Sequence, residues 1–101
     1  MLILIPVDGI DEKNSKISTI SSAKNWALID FDQGLSQSVR FFDTRSQIDA
    51  DFIDFVVLQN KFESYMDFME EGTMVLVTRE EETIEEIVEA FRFKELDEIG
   101  I

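Results

Sequence analysis

A mixed α/β domain, with a sheet of about five strands and helices on its faces, is the fold class this sequence predicts. Three observations predict it. Continuous apolar runs open the chain and recur at 52–58, a hairpin pattern lies between them, and two capping signatures each precede apolar residues at helical spacing. A strand, helix, strand passage requires parallel pairing through a right-handed crossover, whereas the hairpin adds antiparallel partners.

Leu2-Ile3-Leu4-Ile5 has no polar alternation, as expected of a strand covered on both faces. Pro6 cannot donate to a ladder, so it belongs where pairing on one side has ended. Residues 9–25 read as a loop, with Gly9, Asn14, four serines and Asn25. A connection of that length implies a short helical turn or a functional segment. Residues 26–31 and 39–42 flank the polar Asp32, Gln33 and Gly34 and predict the hairpin. The polar passage 46–51 predicts a single helical turn, and the run 52–58 a buried central strand with a β-branched middle.

Asn60-Lys61-Phe62-Glu63 has the form of a capping box, followed by Phe62, Tyr65, Met66 and Met69 at helical spacing and by Gly72 as a left-handed stop. Residues 74–77 predict a strand. Thr83-Ile84-Glu85-Glu86 is a second capping box, opening a helix with an apolar stripe of Ile84, Ile87, Val88 and Phe91. Trp26 and Tyr65 sit in apolar settings and are expected in the core. No repeat or linker interrupts the pattern, so residues 1–101 are expected to form one domain. A chain of this size buries roughly 65% of its unfolded surface.

The 101 residues include no histidine and no cysteine. That removes the thiol nucleophile, the usual neutral-pH base and the commonest ligands of zinc, iron and iron–sulfur clusters. The net charge of −13 is uneven, about −2 in residues 1–50 and −11 in residues 51–101. Such a field repels nucleic-acid backbones and anionic membranes, so neither is an expected partner. The apolar opening is too short for a signal segment and no stretch can span a bilayer, which predicts a soluble, cytoplasmic protein.

Four constellations bear on chemistry. Asp30 and Asp32 share one side of a strand, and Asp8 ends the first strand; together they suggest a Mg²⁺ site of a ribonuclease-H-like hydrolase. Carboxylates beside a turn are more commonly solvated loop residues, and no basic group is gathered to hold a substrate. Glu80, Glu81, Glu82, Glu85, Glu86 and Glu89 suggest a surface for a basic protein, sensitive to salt, although acids at a helix start already complement its dipole. Ser18, Ser21 and Ser22 beside Lys24 lack the elbow of a nucleophilic serine. The four scattered glycines form no phosphate-binding loop.

The opening Leu2-Ile3-Leu4-Ile5-Pro6-Val7-Asp8-Gly9 resembles the I-A-I-P-V-D start of the dinitrogenase iron-molybdenum cofactor biosynthesis family, which includes NifX and the C-terminal region of NifB. The resemblance continues through Ala23 and Trp26-Ala27-Leu28-Ile29-Asp30, the strand to Leu58, Glu71-Gly72, Val75-Leu76-Val77, and Thr83 to Ala90 with Glu95-Leu96, over nearly the whole chain. It implies a ribonuclease-H-like domain without nuclease activity, not an enzyme, associated with iron–sulfur or iron–molybdenum cofactor assembly. Where the family carries Ser-x-His-Phe-Gly-Arg-Ala, this chain has Ile17-Ser18-Thr19-Ile20-Ser21-Ser22-Ala23, with Thr19 at the histidine position and Ser21 at the glycine. A glycine-rich turn of the family corresponds to Gln59-Asn60-Lys61. By position, Thr19, Ser21, Ser22 and Asn60 are therefore the implied cofactor-binding residues, on a surface of residues 9–25 and 59–63. Their side chains imply a binding or accessory protein without autonomous cluster binding, working with a basic or cluster-assembly protein partner.

Overall fold

The opening apolar run becomes β1 (Leu2–Val7), buried on both faces at the middle of the sheet in the computed structural model, which describes residues 1–99. It pairs antiparallel with β2 (Asn25–Asp32), which in turn pairs antiparallel with β3 (Leu35–Phe42). On its other edge β1 runs parallel to β4 (Phe55–Leu58). A short helix α1 (Met66–Glu70) leads to β5 (Met74–Val77), parallel to β4. Helix α2 (Ile84–Arg92) then returns the chain to β6 (Asp97–Ile99), antiparallel to β5. The sheet order is β3-β2-β1-β4-β5-β6.

The expected five strands are thus six among the described residues. The additional one, β6, is three residues long with two acids, so neither length nor alternation marks it in the sequence. Leu96, buried just before it, anchors the edge.

Alternation across the pleat divides the core in two. Ile3, Ile5, Val7, Ala27, Ile29, Phe31, Val57 and Leu76 face α2, which contributes Ile84, Ile87 and Ala90, with Val88 and Phe91 packed at its margin. Leu4, Trp26, Leu28, Val56, Leu58 and Val75 face the other way, against Phe68 of α1 and the half-buried Tyr65. Trp26 and Tyr65 therefore pack as expected, the Trp26 ring lying 6.3 Å from Phe68.

Pro6 lies inside β1, where its carbonyl accepts from the Ser18 N–H and the Asp8 N–H donates to the Lys16 carbonyl. Pairing with β4 reaches only Leu4, so the segment 16–18 takes over that edge and the proline interrupts no ladder bond to β4. The hairpin turns at Gln33 and Gly34, whose φ values of 54° and 77° match the handedness that connects twisted strands.

Three boundaries differ from expectation, the first being β3, which begins at Leu35, four residues ahead of the expected 39. The strand expected at 52–58 begins only at Phe55, and Phe52 is 52% exposed. Before it, the Asp54 backbone bonds to Leu2 and Met74 on either side, while side chains make the next bonds: the Asp54 carboxylate accepts the Leu2 N–H and the Ile53 carbonyl accepts the Thr73 hydroxyl. The helix expected from Asn60 begins at Met66 instead. Glu63 does accept the Asn60 N–H, but the Asn60 oxygen takes the Phe62 N–H, two residues on, where a capping box takes the N–H three residues on, and the bonds close an isolated turn; the other Glu63 oxygen accepts the Ile20 N–H. Phe62 is 86% exposed, and the buried residue of α1 is Phe68.

Local signals hold elsewhere. The polar turn forms at Arg45–Gln47, with Gln47 accepting from the Asp43 and Thr44 N–H groups. Gly72, at φ 84°, ends α1, and the Thr83–Glu86 box starts α2.

Replacing Ile5, wholly buried at the centre, by alanine should lower unfolding free energy by about 2–5 kcal/mol in denaturant titration. Phe62→Ala should change it by no more than about 0.5 kcal/mol, whereas a Phe62 packed in a helical stripe would cost several times more.

Candidate functional site

β1, β4 and β5 run parallel, so their C-terminal ends share one side of the sheet. From these ends issue residues 8–24, 59–65 and 78–83. Ligands of open α/β sheets bind outside such strand ends. The surface expected at 9–25 and 59–63 is therefore one contiguous region, and Glu63 joins its two parts. One Glu63 oxygen accepts the Ile20 N–H at 2.7 Å, and the other accepts the N–H groups of Gln59 and Asn60. The Thr78 hydroxyl donates to the Gln59 carbonyl at 3.4 Å, which ties in the third segment.

Residues 9–25 are an ordered loop. A 3₁₀ turn at Ile20–Ser22 provides the expected short helical turn. Thr19 opens it, and its hydroxyl is hydrogen-bonded with those of Ser22 and Ser21. Asn60 spends its side-chain oxygen on the Phe62 N–H. Further back, Asp11 accepts from the Asn14 and Lys13 N–H groups, bonds that hold its carboxyl below the usual carboxylate range. The carbonyls of Ser15 and Lys13 accept the N–H groups of Ile84 and Glu85, so the free donors at the start of α2 are consumed by this loop.

The electrostatics of two of these three segments differ from the rest of the chain, while 78–83 carries Arg79 against Glu80, Glu81 and Glu82. In segments 8–24 and 59–65, Asp8, Asp11, Glu12 and Glu63 are balanced by Lys13, Lys16, Lys24 and Lys61. The whole net charge of −13 therefore resides elsewhere. All four arginines are occupied in ion pairs, with Asp49, Glu71, Asp97 and Glu89. Comparing the two halves of the sequence conceals this neutral region; comparing the charge loop by loop reveals it.

The acidic stretch is partly spent on local bonds. Glu81 accepts the Arg79 and Glu80 N–H groups, and Glu89 pairs with Arg92. Glu86 accepts the N–H groups of Thr83 and Glu82, which lower its pKa.

The Mg²⁺ constellation is not assembled. Antiparallel register sets Asp30 opposite Leu2, while Asp8 follows Val7 at the far end of the same strand, where Val7 pairs with Asn25. At roughly 3.4 Å per residue that separation approaches 20 Å. Among the described residues no group of three or more acids is placed to hold a metal ion. The serines form no nucleophilic arrangement either. The Ser22 hydroxyl is paired with Thr19, and the buried Ser18 hydroxyl has no hydrogen-bond partner among the described residues.

The residues brought together do not fit an iron–sulfur group. Thr19, Ser21 and Ser22 offer hydroxyls already bonded to one another, and Asn60 an amide; these are hard donors, whereas such clusters require thiolate or imidazole.

No family model matches this chain, and no curated protein matches it. Solved structures do. A crystal structure of a provisionally named dinitrogenase from Methanocaldococcus jannaschii superposes with a TM-score of 0.78 at 20% identity, covering 99% of this chain and 95% of that one. The NMR structure of a provisionally named NifB protein from Thermotoga, described as belonging to the DUF35 family, gives 0.74 at 18% identity, covering 96% and 91%. An NMR structure of a provisionally named dinitrogenase from Methanococcus jannaschii gives 0.76 at 19%, covering 100% and 94%. This chain shares their fold over nearly all of its length.

Replacing Glu63 by alanine should speed hydrogen exchange of the Ile20 amide relative to the amides of β1, a difference absent if the Ile20–Glu63 bond does not hold the loop. Because the Glu86 pKa is lowered in the folded state, its cap contributes stability above the unfolded carboxylate range and loses it as pH falls through the folded value. Glu86→Gln should thus be less stable than the parent at neutral pH, and the gap should close on acidification in pH-dependent denaturant titrations.

Proposed function

We propose that this protein is a non-catalytic accessory protein of the dinitrogenase iron-molybdenum cofactor biosynthesis type, related to NifX and the C-terminal region of NifB. The observation that carries the reading is end-to-end likeness of fold to the dinitrogenase-named protein, over 99% of this chain and 95% of the other. The strand order and the parallel β1, β4 and β5 support assigning the domain as ribonuclease-H-like. The protein acts in the cytoplasm; no helix among the described residues is long and apolar enough to cross a membrane.

Its working surface is the region of Thr19, Ser21, Ser22 and Asn60. With no thiol or imidazole in the chain, it does not hold a cluster by itself. A cofactor handled at this surface is cargo whose metal ligands come from a cluster-assembly partner. The charge balance of segments 8–24 and 59–65 leaves contact there to shape and hydrogen bonding. The acids elsewhere favour a partner with basic surface around that contact.

Anaerobic incubation of the purified chain with ferrous iron and sulfide, followed by desalting and metal analysis, should give no stoichiometric iron or sulfide retention. Stoichiometric retention of both would refute a partner-dependent role.

A further inference from the structure

A groove of about 720 Å³ lies where β4 and β5 begin, within the roughly 300–1,000 Å³ typical of ligand sites. One wall is the connection from the Arg45–Gln47 turn to β4, through Ile48, Ala50, Asp51, Phe52 and Ile53. The other is Glu71 and Thr73, between α1 and β5. The half-exposed Phe52 ring lies beside Gly72, and the Thr73 hydroxyl donates to the Ile53 carbonyl, so the two walls are fixed to each other.

The first wall is distinguished by its backbone. The N–H groups of Asp49, Ala50, Asp51, Phe52 and Ile53 make no hydrogen bond among the described residues, and neither do the carbonyls of Asp49 to Phe52. Peptide N–H and C=O groups are obligatory hydrogen-bonding groups. The longer connection 8–24 satisfies them internally, with the Asp8, Ile17, Ser18 and Lys24 N–H groups donating to backbone carbonyls. Residues 49–53 instead leave a continuous row of donors and acceptors unpaired beside the apolar side chains of Ile48, Ala50 and Phe52. An extended peptide uses such a row when it adds to an exposed backbone: main-chain bonds supply affinity, and side-chain contacts select sequence.

Charge narrows the choice of peptide. Arg45 and Glu71 line the groove but are paired with each other, and the Arg45 guanidinium also stacks on the Phe68 ring at 4.0 Å. The arginine is therefore committed and offers no seat for an anion. The other charged group of the lining is Asp51, whose carboxylate makes no ion pair or hydrogen bond among the described residues. The uncommitted charge of the groove is thus negative, within a chain of net charge −13.

We propose that this groove binds an extended, basic peptide segment of a partner protein. The segment hydrogen-bonds its backbone to residues 49–53, lays an apolar side chain against Phe52 and directs a lysine or arginine to Asp51. A second copy of this chain is a poorer occupant, because it would bring its own net charge of −13 against like charge. The site lies at the opposite end of β4 from residues 59–63 and does not depend on the function proposed for the loop surface there.

The test adds the synthetic peptide acetyl-Val-Lys-Val-Lys-Val-amide to the isotope-labelled full chain and follows backbone amide resonances by NMR. Saturable shifts are expected at residues 49–53 and 71–73, at one peptide per chain. The same peptide N-methylated along its backbone should bind roughly tenfold more weakly, because it cannot donate to the carbonyls of the wall. A counterpart with glutamate in place of lysine should cause no shifts there. Asp51→Asn should weaken the lysine peptide roughly threefold and leave thermal stability unchanged, since the carboxylate is exposed and unpaired. Absence of saturable shifts at 49–53 overturns the proposal, as does equal affinity for the N-methylated peptide or affinity indifferent to Asp51→Asn. A dimer in sedimentation that Phe52→Glu converts to monomer overturns it as well, by assigning the groove to a second copy.

Discussion

Everything in this fold is arranged around one strand that must be satisfied in four directions. β1 is buried on both faces and needs hydrogen-bond partners on both edges, since an unpaired backbone group there would carry its full desolvation cost. β2 supplies one edge along its whole length. β4 supplies the other only through Leu4, and beyond that point the loop takes its place through Ser18 and Lys16. The loop that carries Thr19, Ser21 and Ser22 is thus a structural partner of the central strand. Its position is set by the core, and Glu63 transmits that position to the turn after β4.

Charge in this protein works chiefly through its distribution. The four arginine ion pairs are substantially solvent-exposed, and such pairs contribute about 0–1 kcal/mol each. Several glutamates serve backbone N–H groups at turns and helix starts, where an ionised carboxylate is a strong acceptor. What remains is a strongly negative body with two charge-balanced loop segments, 8–24 and 59–65, at one end of the sheet.

Legibility in the sequence followed the range of the interactions involved. The opening run, the hairpin and α2 with its capping box each rest on signals confined to a few neighbouring residues, and all three form where they are expected. The box at Asn60 makes only part of its local bonds, closing a turn at 60–63, while Glu63 also accepts the distant Ile20 N–H and the helix starts at Met66. Strand β6 is too short to carry a pattern and exists because β5 offers it an edge. Thr19, Ser21, Ser22 and Asn60 were legible as one candidate surface through family resemblance, whereas the balance of lysines on that surface needed the loops to be grouped by position.

Composition alone determined that no thiol or imidazole is available, and that any chemistry rests on carboxylates, hydroxyls, amides and amines. Side-chain type is a property of the chain and survives any folding. Which of those groups meet was decided only by tertiary structure. Register makes the difference: the antiparallel pairing of β1 and β2 sends Asp8 and Asp30 to opposite ends, while the parallel pairing of β1 and β4 brings residues 19–22 and 59–63 to the same end. Which strands pair, and in what register, depends for β1 on contacts with residues far along the chain, which short-range sequence signals do not encode.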